Sequence, residues 1–196
     1  MAGAKLISSP MSTSCNLSSL QGVALPNPAE YRSIVGALQY VTLTRPDISF
    51  SVNKVCRFLH APTDAHWSSV KRILRYLKST LDVGLHFTPL TSLQLHAFSD
   101  ANWAGCPDDH KSTDGYCVYL GPNLIAWSAK KQAIVARSST EAEFRALANL
   151  VTELLWFQSL LTDLGFPSKM PPVSWCDNIG TSHWLLIRCF MHAPNM

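Results

Sequence analysis

The chain has 196 residues, roughly 1.3 times a domain of about 150 residues, and 47% of them are apolar, enough to bury a sizeable core. Only 15% are charged, and 16 Lys plus Arg against 13 Asp plus Glu leave a net charge of +3. These figures exclude a charge-driven disordered chain and a polycation that binds nucleic acid by bulk charge, so nucleic-acid binding has to come from local patches.

In chain order, residues 1–28 read as irregular, with scattered Ser, Gly and Pro. Tyr31, Ile34, Leu38 and Val41 then fall on one face of a helix, because 3.6 residues make a turn. Arg45-Pro46-Asp47 breaks it, and Ile48, Val52, Val55 and Leu59 mark a second helix. Pro62-Thr63 punctuates again, with Thr63 a good N-cap. A third helix to about Lys78 carries Trp67, Val70, Leu74 and Leu77 as its apolar stripe.

Near residue 90 the period changes to two. Leu93, Leu95 and Ala97 alternate with Gln94, His96 and Phe98 and lead to Ser99-Asp100. Short β-rich runs are expected at 116–120, 124–128 and 133–137, separated by Gly115 and Gly121-Pro122-Asn123. A long helix from about Thr140 to Leu164, closed by Gly165 and Pro167, precedes a strand from Val173 to Cys176 and then Asp177. The change from all-helical to α/β lies near Thr88-Pro89.

The six cysteines, Cys15, Cys56, Cys106, Cys117, Cys176 and Cys189, form no CxxC pair and have no His at zinc-ligand spacing. They read as reduced thiols of an intracellular protein, cytoplasmic or nuclear. No apolar run approaches the roughly 18 residues of a membrane span. The start, MAGAKLISSPMSTSCN, lacks the continuous apolar stretch of a signal peptide.

The C-terminal part reads β-β-β-α-β, and its first and last strands each lead to an Asp, Asp100 and Asp177. Parallel pairing of those strands would bring both carboxylates to one sheet edge, where α/β sheets bind ligands. The long helix offers two further acids, and helical phase separates them. Glu143 heads the stripe Leu147, Leu150, Leu154, Phe157 and Leu161, whereas Glu141 is followed four residues later by Arg145 and faces solvent. A Glu at the head of a buried stripe beside two Asp is costly unless a divalent cation neutralises it. The competing reading is local: Thr140-x-x-Glu143 fits a capping box, and strand-end Asp residues often begin turns.

These residues carry a resemblance. FSDANWAG, STDGYCVYLG, LIAWSAKKQ, SSTEAEFRALA and WCDN resemble the ribonuclease H domain of copia-type retrotransposon Pol polyproteins. The upstream run from EYRSIVGALQY to ILRYLKST resembles the end of their reverse transcriptase region. The likeness implies an irregular segment 1–28, a helical reverse-transcriptase remnant over 29–88, an incomplete ribonuclease H-like mixed sheet over 89–178 and a divergent tail over 179–196. It also implies Mg²⁺-dependent hydrolysis of RNA in RNA–DNA hybrids by two ions about 4 Å apart, held by four carboxylates. Asp100, Glu143 and Asp177 take three of those places. The acid that relatives carry two residues after the first Asp is Asn102 here, and no Asp or Glu follows Asp177. The fourth carboxylate is therefore expected to be missing and cleavage impaired. An inactive nucleic-acid-binding fragment and a pseudogene product with no selected function are the alternatives. No Tyr-x-Asp-Asp turn occurs, so no polymerase site is expected, and the remainder of a Pol polyprotein is an expected partner.

Lys71, Arg75 and Lys78, with Arg72 beside them, share one face of the third helix and could hold phosphates. The plain alternative is a solvated helix face. Lys130 and Lys131, taken as loop residues, could touch the hybrid. Trp103 and Trp127 read as core more than as stacking platforms, and the seven His residues form no usable pattern.

Overall fold

The computed structural model of the chain describes residues 3, 5–12, 16–168 and 170–177. Its first half is helical. Helix α1, Pro28–Val41, starts where Asn27 Oδ1 accepts from the Ala29 N–H at 3.2 Å and Pro28 fills the first turn. A 3₁₀ turn, Pro46–Ile48, feeds α2, Ser49–Cys56, so the second helix ends three residues before the expected Leu59. Helix α3, Asp64–Ser79, has Thr63 as its N-cap. Tyr31, Val35, Val52, Val55, Val70 and Ile73 meet in one core. The N-terminal segment forms no helix or multi-residue strand of its own in the described residues, yet its Leu17 closes that core. Arg45, itself buried, grips Asp47 through Nε at 3.0 Å and Nη2 at 2.7 Å, and also donates to Thr80 at the end of α3.

Among the described residues, the second half is a mixed four-stranded sheet with one long helix. Strands β1, Leu95–Asn102, β2, Thr113–Leu120, and β3, Asn123–Lys131, form an antiparallel meander. Helix α4, Ser139–Asp163, crosses the sheet, and β4, Val173–Cys176, returns parallel to β1. The order is β3-β2-β1-β4. The expected β-β-β-α-β sequence of elements is what forms. Leu147, Leu150 and Leu154 of α4 pack on Leu95, Ala97 and Val118 in a second core, as the helical phase requires. The β2–β3 turn relies on Gly121 at φ 54°, where an added Cβ would press on the Ser92 carbonyl.

Two further local expectations fail. Residues 133–137 are not a strand. Among the described residues the sheet has its edge at β3, and the segment instead leads into α4 with Ile134 and Val135 exposed and the Ala136 carbonyl accepting from Trp103 Nε1 at 3.0 Å. Lys130 and Lys131 belong to β3 rather than to a loop, because the β2–β3 ladder runs out to Thr113↔Lys131.

The two halves touch through polar contacts. Trp127 Nε1 donates to the Thr42 carbonyl at 2.9 Å, Arg57 Nη2 donates to Thr113 Oγ1 at 2.9 Å, and Ser18 and Ser19 donate to the Asp108 carboxylate. None of the four described cysteines is in a disulfide; Cys15 and Cys189, like the tail 179–196, lie outside the described residues. Among the described residues, no helix is long and apolar enough to cross a membrane.

Candidate carboxylate site

The site sits where β1 and β4 end side by side. Their parallel register stops at Ser99↔Cys176, so Asp100 and Asp177 are the next residues along each strand. Strand β1 continues to Asn102 on its β2 side, with Asp100 paired to Gly115. Asp100 is therefore inside β1, just past the parallel ladder, and is exposed.

Glu143 enters from α4. The helix begins earlier than the Thr140 reading places it: Ser138 is the N-cap, its Oγ accepting from the Glu141 N–H at 3.1 Å. Glu141 accepts from the N–H of Arg137, the residue before the cap, at 2.8 Å, and it pairs with Arg145 at 2.8 Å. The capping work thus belongs to Ser138 and Glu141, which frees Glu143 for another role. Its side chain is buried at 6% exposure. Its Oε1 accepts from the Ala101 N–H at 3.1 Å, and Cys176 Sγ lies 3.8 Å from its Oε2. Burial pushes the Glu143 carboxyl up from its ordinary value, and the charges of Asp100 and Asp177 push it further; the Ala101 N–H, which favours the anion, works against them.

Ligand atoms of Glu143, Cys176 and Asp177 all lie within 4.8 Å of one another. Asp100 is outside that tight group but close enough for its charge to act on Glu143. A buried acid beside two others is the arrangement a hard divalent cation neutralises.

Comparison with known proteins gives the family. The chain is 52% identical over 183 residues to the retrovirus-related Pol polyprotein from transposon RE2 of Arabidopsis thaliana. That match covers 93% of this chain and 13% of the relative. It is 51% identical over 183 residues to the corresponding polyprotein from transposon RE1 of the same plant, covering 93% and 12%. Over 149 residues it is 40% identical to the polyprotein from transposon TNT 1-94 of Nicotiana tabacum, covering 76% and 11%. The chain belongs to the copia-type retrotransposon Pol polyproteins. It spans about an eighth of the length of the first two of these relatives. No family model and no solved structure matches it.

The basic residues of this Pol chain are unequal. On α3, Lys71 is exposed and lies 5.5 Å above the Trp67 ring. Arg72 is half-buried and donates to Ser9 Oγ at 2.8 Å, tying down the N-terminal segment. Arg75 and Lys78 are half-buried too. Lys131 is held by Asp109 at 2.8 Å and donates to Cys106 Sγ at 3.3 Å. Lys130 is exposed at the rim of a cleft of about 480 Å³ between α1, α2 and β3, which Gln39, Asn53, Cys56 and Trp127 also line.

Two residues were not legible as site or switch residues. Cys176 is one; its signal is the alternation of β4, which turns it to the α4 face when Asp177 ends the strand. His66 is the other. It is fully buried, its Nδ1 accepts from the Thr63 N–H at 3.0 Å, its Nε2 meets the Ser18 carbonyl at 3.1 Å, and its ring stacks on Phe58. An acceptor at Nδ1 and a donor at Nε2 define the neutral tautomer, and burial lowers its proton affinity.

Proposed function

We propose that residues 89–178 are the ribonuclease H-like part of a copia Pol polyprotein, that residues 29–88 derive from its reverse transcriptase region, and that Asp100, Glu143 and Asp177 hold Mg²⁺ for hydrolysis of the RNA strand of an RNA–DNA hybrid. The observation that carries this reading is the convergence of the three acids at the end of the parallel β1–β4 pair, with Glu143 buried among like charges. The donor set fits the ion: Mg²⁺ takes oxygen ligands and keeps several waters, and Asp100 and Asp177 are both exposed to solvent. When bound, Mg²⁺ supplies charge neutralisation at the phosphodiester and a water of lowered pKa. The chain's own residues bind and orient: Glu143 is fixed by the Ala101 N–H, and the parallel β1–β4 register sets the spacing of the two Asp. Lys71, Arg72, Arg75, Lys78, Lys130 and Lys131 are the candidates for phosphate contacts; of these, Lys71 and Lys130 are the exposed ones.

The test is cleavage of an end-labelled RNA–DNA hybrid in Mg²⁺ by the full chain, alongside Asp100→Asn, Glu143→Gln and Asp177→Asn. Cleavage that disappears in all three variants supports the reading. Cleavage indifferent to these substitutions refutes the site. Salt-dependent hybrid binding with no cleavage at all would leave a nucleic-acid-binding module in place of a nuclease.

A further inference from the structure

We infer that Glu143, Cys176 and Asp177 form a site for a thiophilic divalent cation of the Zn²⁺ or Cd²⁺ kind, with a ligand set different from the oxygen-only set proposed for Mg²⁺. The first observation is geometric. One carboxylate oxygen from each acid and the Cys176 sulfur lie within 4.8 Å of one another. Zinc binds sulfur at about 2.3 Å and carboxylate oxygen at about 2.0–2.2 Å, so tetrahedral ligand atoms stand on the order of 3.5 Å apart. Small side-chain rotations bring the three together. A sulfur with two oxygens suits a borderline-soft ion and not Mg²⁺.

The second observation is independent of the acids. Ser99 is 7% exposed, and its Oγ has no hydrogen-bond partner among the described residues. It is the registered neighbour of Cys176 across the β1–β4 ladder, and paired residues on adjacent strands share a face. Its side chain therefore stands on the same sheet face as Cys176, next to the group, where a buried donor without a partner is costly. A thiolate or a metal-bound water beside it would satisfy it. Binding converts the thiol to thiolate with release of one proton to solvent, and the metal–sulfur bond takes its place.

Sharing Glu143 and Asp177 makes the two ions mutually exclusive, and this consequence alone rests on the proposed Mg²⁺ site. A thiophilic ion would then act as an inhibitor of the same centre.

The experiment is a Cd²⁺ titration of the full, reduced chain, read by the ultraviolet thiolate-to-Cd²⁺ charge-transfer band. It needs no hybrid, so a failure to cleave RNA has no bearing on its result. We expect a saturable band that survives Cys117→Ser, is lost in Cys176→Ser and is strongly weakened in Glu143→Gln/Asp177→Asn. A band unchanged in Cys176→Ser, or one that the double carboxylate variant keeps in full, overturns the inference. Cadmium NMR of the unsubstituted chain gives the same answer without a variant: one sulfur with oxygens supports the site, and a shift for several sulfurs or none refutes it. Excess Mg²⁺ should raise the Cd²⁺ midpoint; a midpoint indifferent to Mg²⁺ refutes the shared ligands.

Discussion

Replacing Glu143 by Gln should stabilise the metal-free protein at neutral pH, although it removes a site residue. Glu143 and Asp177 have ligand atoms within 4.8 Å, and two like charges at that distance repel by about 3.5 kcal/mol at an effective dielectric of 20. Asp177 is exposed, so water cuts this to about 1–2 kcal/mol. Gln keeps an oxygen for the Ala101 N–H, at the loss of the charge-assisted part of that bond, a fraction of about 1 kcal/mol. The net gain is on the order of 1 kcal/mol, or roughly 2–4 °C in melting temperature for a chain of this size. The sign follows from linkage. The folded-state pKa of Glu143 is raised above its unfolded value, so the native state holds the extra proton and the ionised carboxylate destabilises the fold at high pH. The advantage of Gln should be absent below the unfolded pKa, grow as pH rises through the folded value, and be full above it. Mg²⁺ should stabilise the Glu protein and shrink the difference. Thermal melts from pH 4 to 8, with and without Mg²⁺, read all of this. A Gln variant less stable than the parent at pH 7 without metal would show that the carboxylate's hydrogen bonds outweigh its burial and repulsion, and the cation argument would lose its footing.

Three further outcomes follow from named contacts. His66 has its proton affinity lowered below the usual value of about 6.5, so its contribution to stability is complete above pH 6.5 and is lost as pH falls through the folded value; melts in the Glu143→Gln background remove the opposing carboxylate, and an NMR midpoint for His66 at or above 6.5 would contradict it. Leu150→Ala, at a fully buried position over the sheet, should cost about 2–5 kcal/mol in denaturant unfolding, whereas Leu155→Ala, at 40% exposure, should cost well under half as much; equal costs would mean that α4 presents a different face. Lys71→Ala should weaken hybrid binding alike for all sequences and reduce the salt slope by about 1, and an unchanged slope would remove α3 from the nucleic-acid surface.

Legibility in the sequence followed the range of the interactions. Periodicity is local, so the three N-terminal helices and the stripe Leu147, Leu150 and Leu154 could be read directly. The parallel pairing of β1 with β4 was open to inference because Asp100 and Asp177 needed a common edge to make chemical sense. Residues 133–137 misled because Ile134 and Val135 suit a strand, yet among the described residues no neighbouring strand is available beyond β3. Ser138 was missed as the cap because Thr140 offers the same spacing to Glu143 that Ser138 offers to Glu141, and only the Arg137 and Ala101 N–H groups tell the two apart. Cys176 and Ser99 were invisible for a different reason: they meet only through the register of strands that are 77 residues apart in sequence.

That separation makes β4 the weak element of the site. It has four residues and, among the described residues, lies at the sheet edge and pairs with β1 alone, while β1 and the helix α4 that carries Glu143 are held by the second core. Local opening takes place where buried apolar contact is least, and Trp175 on β4 is 56% exposed. Undocking β4 removes Cys176 and Asp177 and leaves Glu143 with its Ala101 bond. A cation that bridges Glu143 and Asp177 binds only the docked form, so it must stabilise that form by its binding free energy. Amide exchange at 173–176 should therefore slow as Mg²⁺ is added, while the amides of α1, remote in the other core, keep their rates. Slowing of equal size in both would mean a global effect of the ion, and no slowing at 173–176 would mean that Asp177 does not share an ion with Glu143.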